Sequence, residues 1–163
     1  MKPAISYQLL TPDRLDVIRP LWEQLNRHHA SLPTSFSKEI AARSFETRLQ
    51  TFRQKAASGR LRIEIATVGA DDPPVGYCIT SLASDGAGEV DSLFVAPGWR
   101  RIGIATRLLQ GALDWLRDSG AATRRVTVLH ANDEAGAFYR QFGFHPRNVG
   151  MELPPGTSST PKA

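Results

Sequence analysis

The residues best suited to holding a reactant lie at Arg100-Arg101-Ile102-Gly103-Ile104-Ala105. Bulk is missing at Gly103 and Ala105, so main-chain N–H groups can approach a ligand closely there. The apolar residues Ile104, Leu108, Leu109, Ala112, Trp115 and Leu116 recur at helical spacing. That places the same amides at a helix N-terminus, where they have no intrahelical partner. The helix dipole and the two arginines add positive potential. Such a join suits a diphosphate. The rival phosphate patterns, Gly-x-x-x-x-Gly-Lys-Ser/Thr and Gly-x-Gly-x-x-Gly after a strand, are absent, which disfavours nucleotide hydrolysis and dinucleotide binding. Cys78, with no His or acid evident beside it, reads as a buried, inert thiol. His28 and His29 are adjacent, which is poor metal spacing, and His130 and His145 add no cluster. No metal is expected.

The elements that must position this join follow from the pattern around it. Glu89 to Val95 alternates before ending in Leu-Phe-Val, a half-buried strand stopped by Ala96-Pro97-Gly98. Upstream, Ala4 to Leu10 predicts a strand, and Thr11-Pro12-Asp13 a capped helix start. Leu15, Ile18, Leu21, Trp22 and Leu25 form its buried stripe, with a kink expected at Pro20 and an end near Asn26 to His29. Ala30 to Ser37 reads as a loop. A second helix is expected over Lys38 to Ser58, with Phe45, Leu49, Phe52 and Ala56 inward and Gly59 as its stop. Leu61 to Val68 predicts a strand with one wet face, and Val75 to Leu82 its partner. Asp85-Gly86 turns the chain into the Glu89 strand. The central helix ends at Ser119-Gly120. Arg125 to Leu129 predicts another strand, Asn132 caps a short helix closed by Gly143, and Val149 to Leu153 predicts a last strand. One helical crossover between the Glu89 and Arg125 strands requires a right-handed βαβ unit, and the remainder is an antiparallel meander. The class is α+β.

At 163 residues the chain is one domain, residues 1–153, with Pro154 to Ala163 read as a disordered tail. Hydrophobic residues at 41% and charged residues at 22% exclude wholesale disorder. The net charge of +4, most of it from Arg, suits an anionic small molecule. No Lys/Arg run exceeds two residues, which disfavours nucleic acid as the partner. A lone cysteine, no apolar leader after Met1-Lys2-Pro3 and no membrane-length apolar run predict a cytoplasmic protein.

The pattern Arg100-x-x-Gly103-x-Ala105 behind a strand ending Leu93-Phe94-Val95 resembles the acyl-CoA signature of the GCN5-related N-acetyltransferases. A second block, Asn132-Asp133-Glu134-Ala135-Gly136-Ala137-Phe138-Tyr139 and then Gly143-Phe144, resembles that family's downstream element. The resemblance implies a mixed, mostly antiparallel sheet with helices on both faces. It implies that the two parallel strands splay apart, helped by a bulge in the first, with pantetheine in the gap. It implies an acetyl-CoA-dependent N-acetyltransferase in which an amine attacks directly, with no covalent enzyme intermediate and often as a homodimer.

Residue roles follow from the same resemblance. Tyr139 matches the usual general acid and Glu89 the catalytic glutamate, with Asp91 or water as alternatives to Glu89. Main-chain N–H near Phe94 or Val95 would polarise the carbonyl, with Leu93 alongside. Arg100, Arg101, Ile102, Gly103, Ile104, Ala105 and Thr106 would cradle the diphosphate. Asn132 would lie beside pantetheine as well as, or instead of, capping its helix. The first helix and loop would supply the acceptor pocket, which brings in His28, His29 and Phe36, and Trp22 as either lining or core. A second function class stays open at this point: a catalytically silent acyl-CoA-binding or regulatory domain, one that could contact nucleic acid. The acceptor amine and the acyl-chain preference are not specified by these residues.

Overall fold

A computed structural model describes residues 3–161 and 163, so the readings that fall on Met1, Lys2 and Lys162 lie outside the described residues. Five strands form one sheet in the order of the chain: β1 (Ser6–Leu10), β2 (Gly59–Thr67), β3 (Gly76–Ala83), β4 (Ala87–Val95) and β5 (Thr123–Val126). Neighbours from β1 to β4 are antiparallel, and β4 and β5 are parallel. The helices are α1 (Arg19–Ser31), α2 (Ser37–Ala41), α3 (Phe45–Ser58), α4 (Ile104–Asp118) and α5 (Asp133–Arg140). The α+β class and the single crossover are as the sequence predicts.

The sheet is covered on both sides. On one face Leu15, Ile18, Leu21, Trp22, Phe45, Leu49 and Phe52 pack on Ile63, Ile65, Tyr77, Ile79 and Phe94. On the other Leu108, Leu109, Ala112 and Tyr139 pack on Ala66, Val75, Cys78, Val90 and Val95. Burial of those aliphatic and aromatic side chains is the main force holding the layers together.

Several expectations are corrected. The first helix is a 3-10 segment, Pro12–Ile18, joined to α1, and Pro20 lies in the first turn of α1, where its missing N–H leaves no bond broken. Thr11 makes no side-chain cap. Helix α1 continues through Asn26 to His29 and ends at Ser31, while the Asn26 side chain donates to the Ile40 carbonyl at 2.9 Å. The second helix is broken into α2 and α3, because the Ser44 hydroxyl accepts from Thr47 N–H at 3.2 Å and starts a new helix. Gly59 is extended and opens β2 directly. A Cβ there would lie 2.4 Å from the Leu82 carbonyl oxygen, so its need is close approach and not a helix stop.

Strand β2 has no wet face from Ile63 onward. Its polar residue Glu64 lies under α4, accepting from Arg62 Nη2 at 2.9 Å with Arg107 Nη2 at 3.7 Å. Gly111 leaves room for both guanidiniums, since a Cβ there would come within 2.9 Å of each. Strand β5 stops at Val126, short of Leu129. Val149 to Leu153 is not a strand, and Val149, Met151 and Leu153 are exposed. Residues 154–161 and 163 carry no helix or strand. Among the described residues no helix is long and apolar enough to cross a membrane.

The closest packing at the crossover is at Gly88, where a Cβ would meet the Thr123 carbonyl oxygen at 2.6 Å and Leu116 Cδ2 at 2.8 Å. Gly88→Ala should therefore lower stability by about 1–3 kcal/mol, read as a reduced urea midpoint with an unchanged slope.

Candidate active site

The join between β4 and α4 is built as a row of free donors. The N–H groups of Arg101 through Thr106 make no hydrogen bond among the described residues. The first bond of the helix is Arg107 N–H to the Gly103 carbonyl at 3.0 Å. The backbone is left-handed at Arg101 (φ 62°) and at Gly103 (φ 91°), the kind of turn that gathers successive amides into a concave donor surface. Nothing lies within 4 Å of a Cβ built on Gly103, so that side of the turn faces open space. Ile104 anchors the turn in the core, and Ile102 and Ala105 pack partly against it. Arg100 braces it from behind: Nε donates to the Val95 carbonyl at 2.9 Å and the guanidinium lies 5.3 Å from the Phe94 ring centroid. Arg101 and Thr106 are exposed.

Beside this cradle the sheet opens. Strand β3 follows β4 from Gly88 to Val95, but β5 pairs only with Ala87 to Val90. Among the described residues, no strand lies against the β5 side of Asp91, Ser92, Leu93, Phe94 and Val95. The register slips at the same point, Ile79 facing Ser92 and Thr80 facing Val90, which leaves Asp91 as the extra residue of a bulge. Both the splay and the bulge implied by the family resemblance are present. Leu93 and Val95 side chains pack on the α4 face and Phe94 on the opposite one.

The carboxylates lie on the α3 face, and the structure adds a partner for them. Lys55 Nζ donates to Glu89 Oε2 at 3.0 Å, to Ser81 Oγ at 3.4 Å and, more closely, to Asp91 Oδ1. Glu89 lies in the paired part of β4, opposite Arg125 of β5, and a cavity of about 170 Å³ opens beside it, lined also by Lys55, Ser58, Ser81 and Arg125. Asp91 is sealed, its side chain 1% exposed and Oδ2 without a partner. Burial pushes the Asp91 carboxyl above the usual carboxylate range, against the pull of Lys55. Burial also works against the Lys55 ammonium, yet its bonds to Asp91 and Glu89 hold it above the ordinary lysine range. Arg48 donates from Nη2 to the Asp91 carbonyl at 2.7 Å, fastening the bulge to α3. Lys55 and Arg48 were not legible as site residues, because a basic residue on a helix ordinarily marks its solvated side.

Tyr139 lies on the other face of the sheet, packed with Val90, Val95 and Cys78 and edge-on to Phe138 and Phe144. Burial raises its phenol above the usual tyrosine value near 10, so the group is a weaker acid than its type suggests and stays protonated at neutral pH. Asn132 is the cap of α5, its Oδ1 accepting from Ala135 N–H at 3.2 Å. His28 and His29 occupy the last turn of α1, both half-buried, and Phe36 precedes α2. No bond links them to Glu89 or Tyr139 among the described residues. Burial, with His28 and Arg43 nearby, lowers the His29 imidazole. Trp22 is core, 5.6 Å from Phe45 between ring centroids. Among the described residues no group of three or more His, Cys, Asp or Glu could hold a metal ion. A larger hollow, about 440 Å³, lies by Arg14 and residues 70–74, and none of the candidate residues line it.

This splayed sheet with a donor-lined join defines an acyltransferase scaffold, and the chain matches the Acetyltransferase (GNAT) family over residues 22–144. It belongs to that family and is an N-acetyltransferase. The [ribosomal protein bS18]-alanine N-acetyltransferase of Salmonella typhimurium is 27% identical over 118 residues, covering 72% of this chain and 77% of the relative. The Escherichia coli protein of the same name is 26% identical over 126 residues, covering 77% and 82%. Among solved structures, a PaiA N-acetyltransferase from Thermoplasma acidophilum in complex with coenzyme A superposes with a TM-score of 0.68 at 18% identity, covering 90% of this chain and 93% of that one. The aminoglycoside N-acetyltransferase AAC(6')-Iy with a bisubstrate analog gives a TM-score of 0.65 at 17% identity, covering 92% and 97%. At those identities the structures speak for the fold alone.

Cys78 takes no part in this arrangement. It is fully buried, and burial pushes its thiol up to about 12. The folded protein at pH 8 should react with iodoacetamide at least about a hundredfold more slowly than the urea-unfolded chain, a ratio that alkylation followed by mass spectrometry measures.

Proposed function

We propose that the protein takes its acetyl group from acetyl-CoA, with the diphosphate on the amides of Arg101 to Thr106, and passes it directly to a primary amine. The observation that carries this reading is the run of unpartnered N–H groups lying against the open side of β4. Those donors, the helix dipole and Arg101 suit a diphosphate, and the side of β4 that β5 leaves uncovered beyond Val90 suits an amide-bearing arm lying along it. When bound, acetyl-CoA supplies an activated acyl thioester.

The rest is done by this chain. Main-chain N–H at the open edge near Phe94 or Val95 stabilises negative charge on a carbonyl oxygen. Glu89 accepts a proton from the amine on the α3 face, through its unbonded Oε1. Asp91 is too deeply sealed to meet an amine, so of the two carboxylates Glu89 is the base. Tyr139 gives its phenolic proton to the departing sulfur on the α4 face. Because its proton is retained well above neutral pH, the phenol is always in the form that donates.

For the acceptor, the relatives named for an alanine of ribosomal protein bS18 put a protein or peptide amine first in line for assay, and the aminoglycoside enzyme a small-molecule amine second. His28, His29 and Phe36 stand at the turn of α1 into α2, where an acceptor pocket is read. The +4 charge stays with the anionic cosubstrate in this reading, and neither nucleic acid nor membrane enters it.

Two variants test the reading. Gly103→Val places a branched side chain on the open side of the cradle in a left-handed conformation, and calorimetry should show loss of coenzyme A binding by a folded protein; retained binding overturns the cradle. Tyr139→Phe should cut kcat about a hundredfold or more while the dissociation constant for acetyl-CoA holds, and an undiminished kcat removes the acid role.

A further inference from the structure

One charged side chain beside the site has no part in the transfer as read above. Lys55 reaches across from α3 and ends between the two acids of β4, touching Oδ1 of Asp91 and, at 3.0 Å, Oε2 of Glu89. The two acids are unlike in every other respect. Asp91 is the bulge residue, its side chain 1% exposed, with no hydrogen bond to Oδ2 among the described residues. Glu89 is 23% exposed, borders the small cavity, and has no hydrogen bond to Oε1 among the described residues. One ammonium thus serves two carboxylates, and the deeper one uses it more fully.

We propose that Lys55 is a positioning residue for acetyl transfer, which takes up Asp91 as its buried counter-ion and holds Glu89 by one oxygen so that the other is left for the incoming amine. The inference rests on the reading of Glu89 as the base. The groups around the pair are Lys55 and Arg48 from α3, Ser81 from β3 and Arg125 from β5. Arg48 is engaged with the main-chain carbonyl of Asp91, and Arg125 makes no ion pair among the described residues. Among the described residues, helix α1, which also packs on β4, pairs no charged side chain with either acid. Lys55 is therefore the cation whose loss leaves both carboxylates without an ion-pair partner among the described residues. Two neighbouring carboxylates without a cation keep a proton between them to higher pH.

The experiment compares wild type, Lys55→Met, Lys55→Arg, Glu89→Gln and the double variant Lys55→Met/Asp91→Asn. It measures kcat/KM for an alanyl peptide or other working acceptor against pH at saturating acetyl-CoA, with thermal stability and a carboxyl-carbon NMR titration of Asp91 in the free protein. Lys55→Met should lose about tenfold in rate at pH 7, and its acidic limb should move up by about one pH unit or more. The Asp91 titration should move the same way, with the KM for acetyl-CoA unchanged. Lys55→Arg should return the limb most of the way. The double variant should regain stability, since the buried charge is gone, but not rate. An unmoved limb in Lys55→Met, with Glu89→Gln inactive, overturns the role of Lys55 and leaves Glu89 as the base. Full recovery of rate together with stability in the double variant also overturns it, since Lys55 would then be a counter-ion and nothing more. If Glu89→Gln keeps its rate at low pH, the base reading fails and this inference falls with it.

Discussion

The structure depends on one extra residue in β4. Pairing with β3 asks the strand to run its full length, while pairing with β5 must end after Val90 for a gap to exist. Asp91 satisfies both by standing outside the ladder. Since side chains alternate along a strand, the insertion also resets which face each later residue meets. Ser92 then turns to the α3 face and accepts or donates across to the Tyr77 hydroxyl at 2.8 Å, and Phe94 joins the same core. The Asp91 side chain is drawn under α3, where Lys55 and Arg48 meet its carboxylate and its carbonyl. A gap in the sheet, an acid pair and a repacked core thus share one cause.

The chemistry divides between the faces that this gap connects. Acidic groups and their cation lie on the α3 side, and a phenol in an aromatic nest lies on the α4 side. In the function proposed above, binding at the cradle is left to main-chain donors. Amides carry no side-chain identity, so only shape constrains the residues that present them: freedom at Gly103, small bulk at Ala105 and an apolar anchor at Ile104. Arg100, which the motif offers as a ligand, spends its Nε on Val95 and so fixes the turn to the end of β4.

Much of this was legible in the chain because local rules and global packing agree there. The strand-turn-helix from Glu89 to Leu116 obeys its own periodicity, and the turn residues fall where the backbone needs them. The readings failed where a tertiary partner overrode a local pattern. Polar alternation in β2 implied water on one face, but Glu64 is dry because Arg62 and Arg107 neutralise it. A run of helix formers from Lys38 to Ser58 hid the break that the Ser44 hydroxyl makes. Strand β5, expected over Arg125 to Leu129, begins and ends earlier, at Thr123 and Val126, because no sequence rule says where its neighbour leaves it. At the site, the family resemblance offers Tyr139 and Glu89 as candidates and the residue pattern offers the cradle, whereas nothing local offers Lys55, whose meaning comes from residues 34 and 36 positions away in the chain.

Helix α4 carries the cradle at one end and rests on the sheet mainly through aliphatic contacts. The hydrophobic effect behind those contacts is indifferent to direction. The Arg107–Glu64–Arg62 contact in the notch above Gly111 is not indifferent. Rolling or sliding the helix would draw Arg107 away from Glu64 and shift the Gly111 notch off the Arg62 guanidinium that fills it, while Arg62 stays bonded to Glu64 within β2. That contact works like a key in a shaft, and the azimuth it sets at mid-helix is the azimuth at which the amides of the first turn face outward.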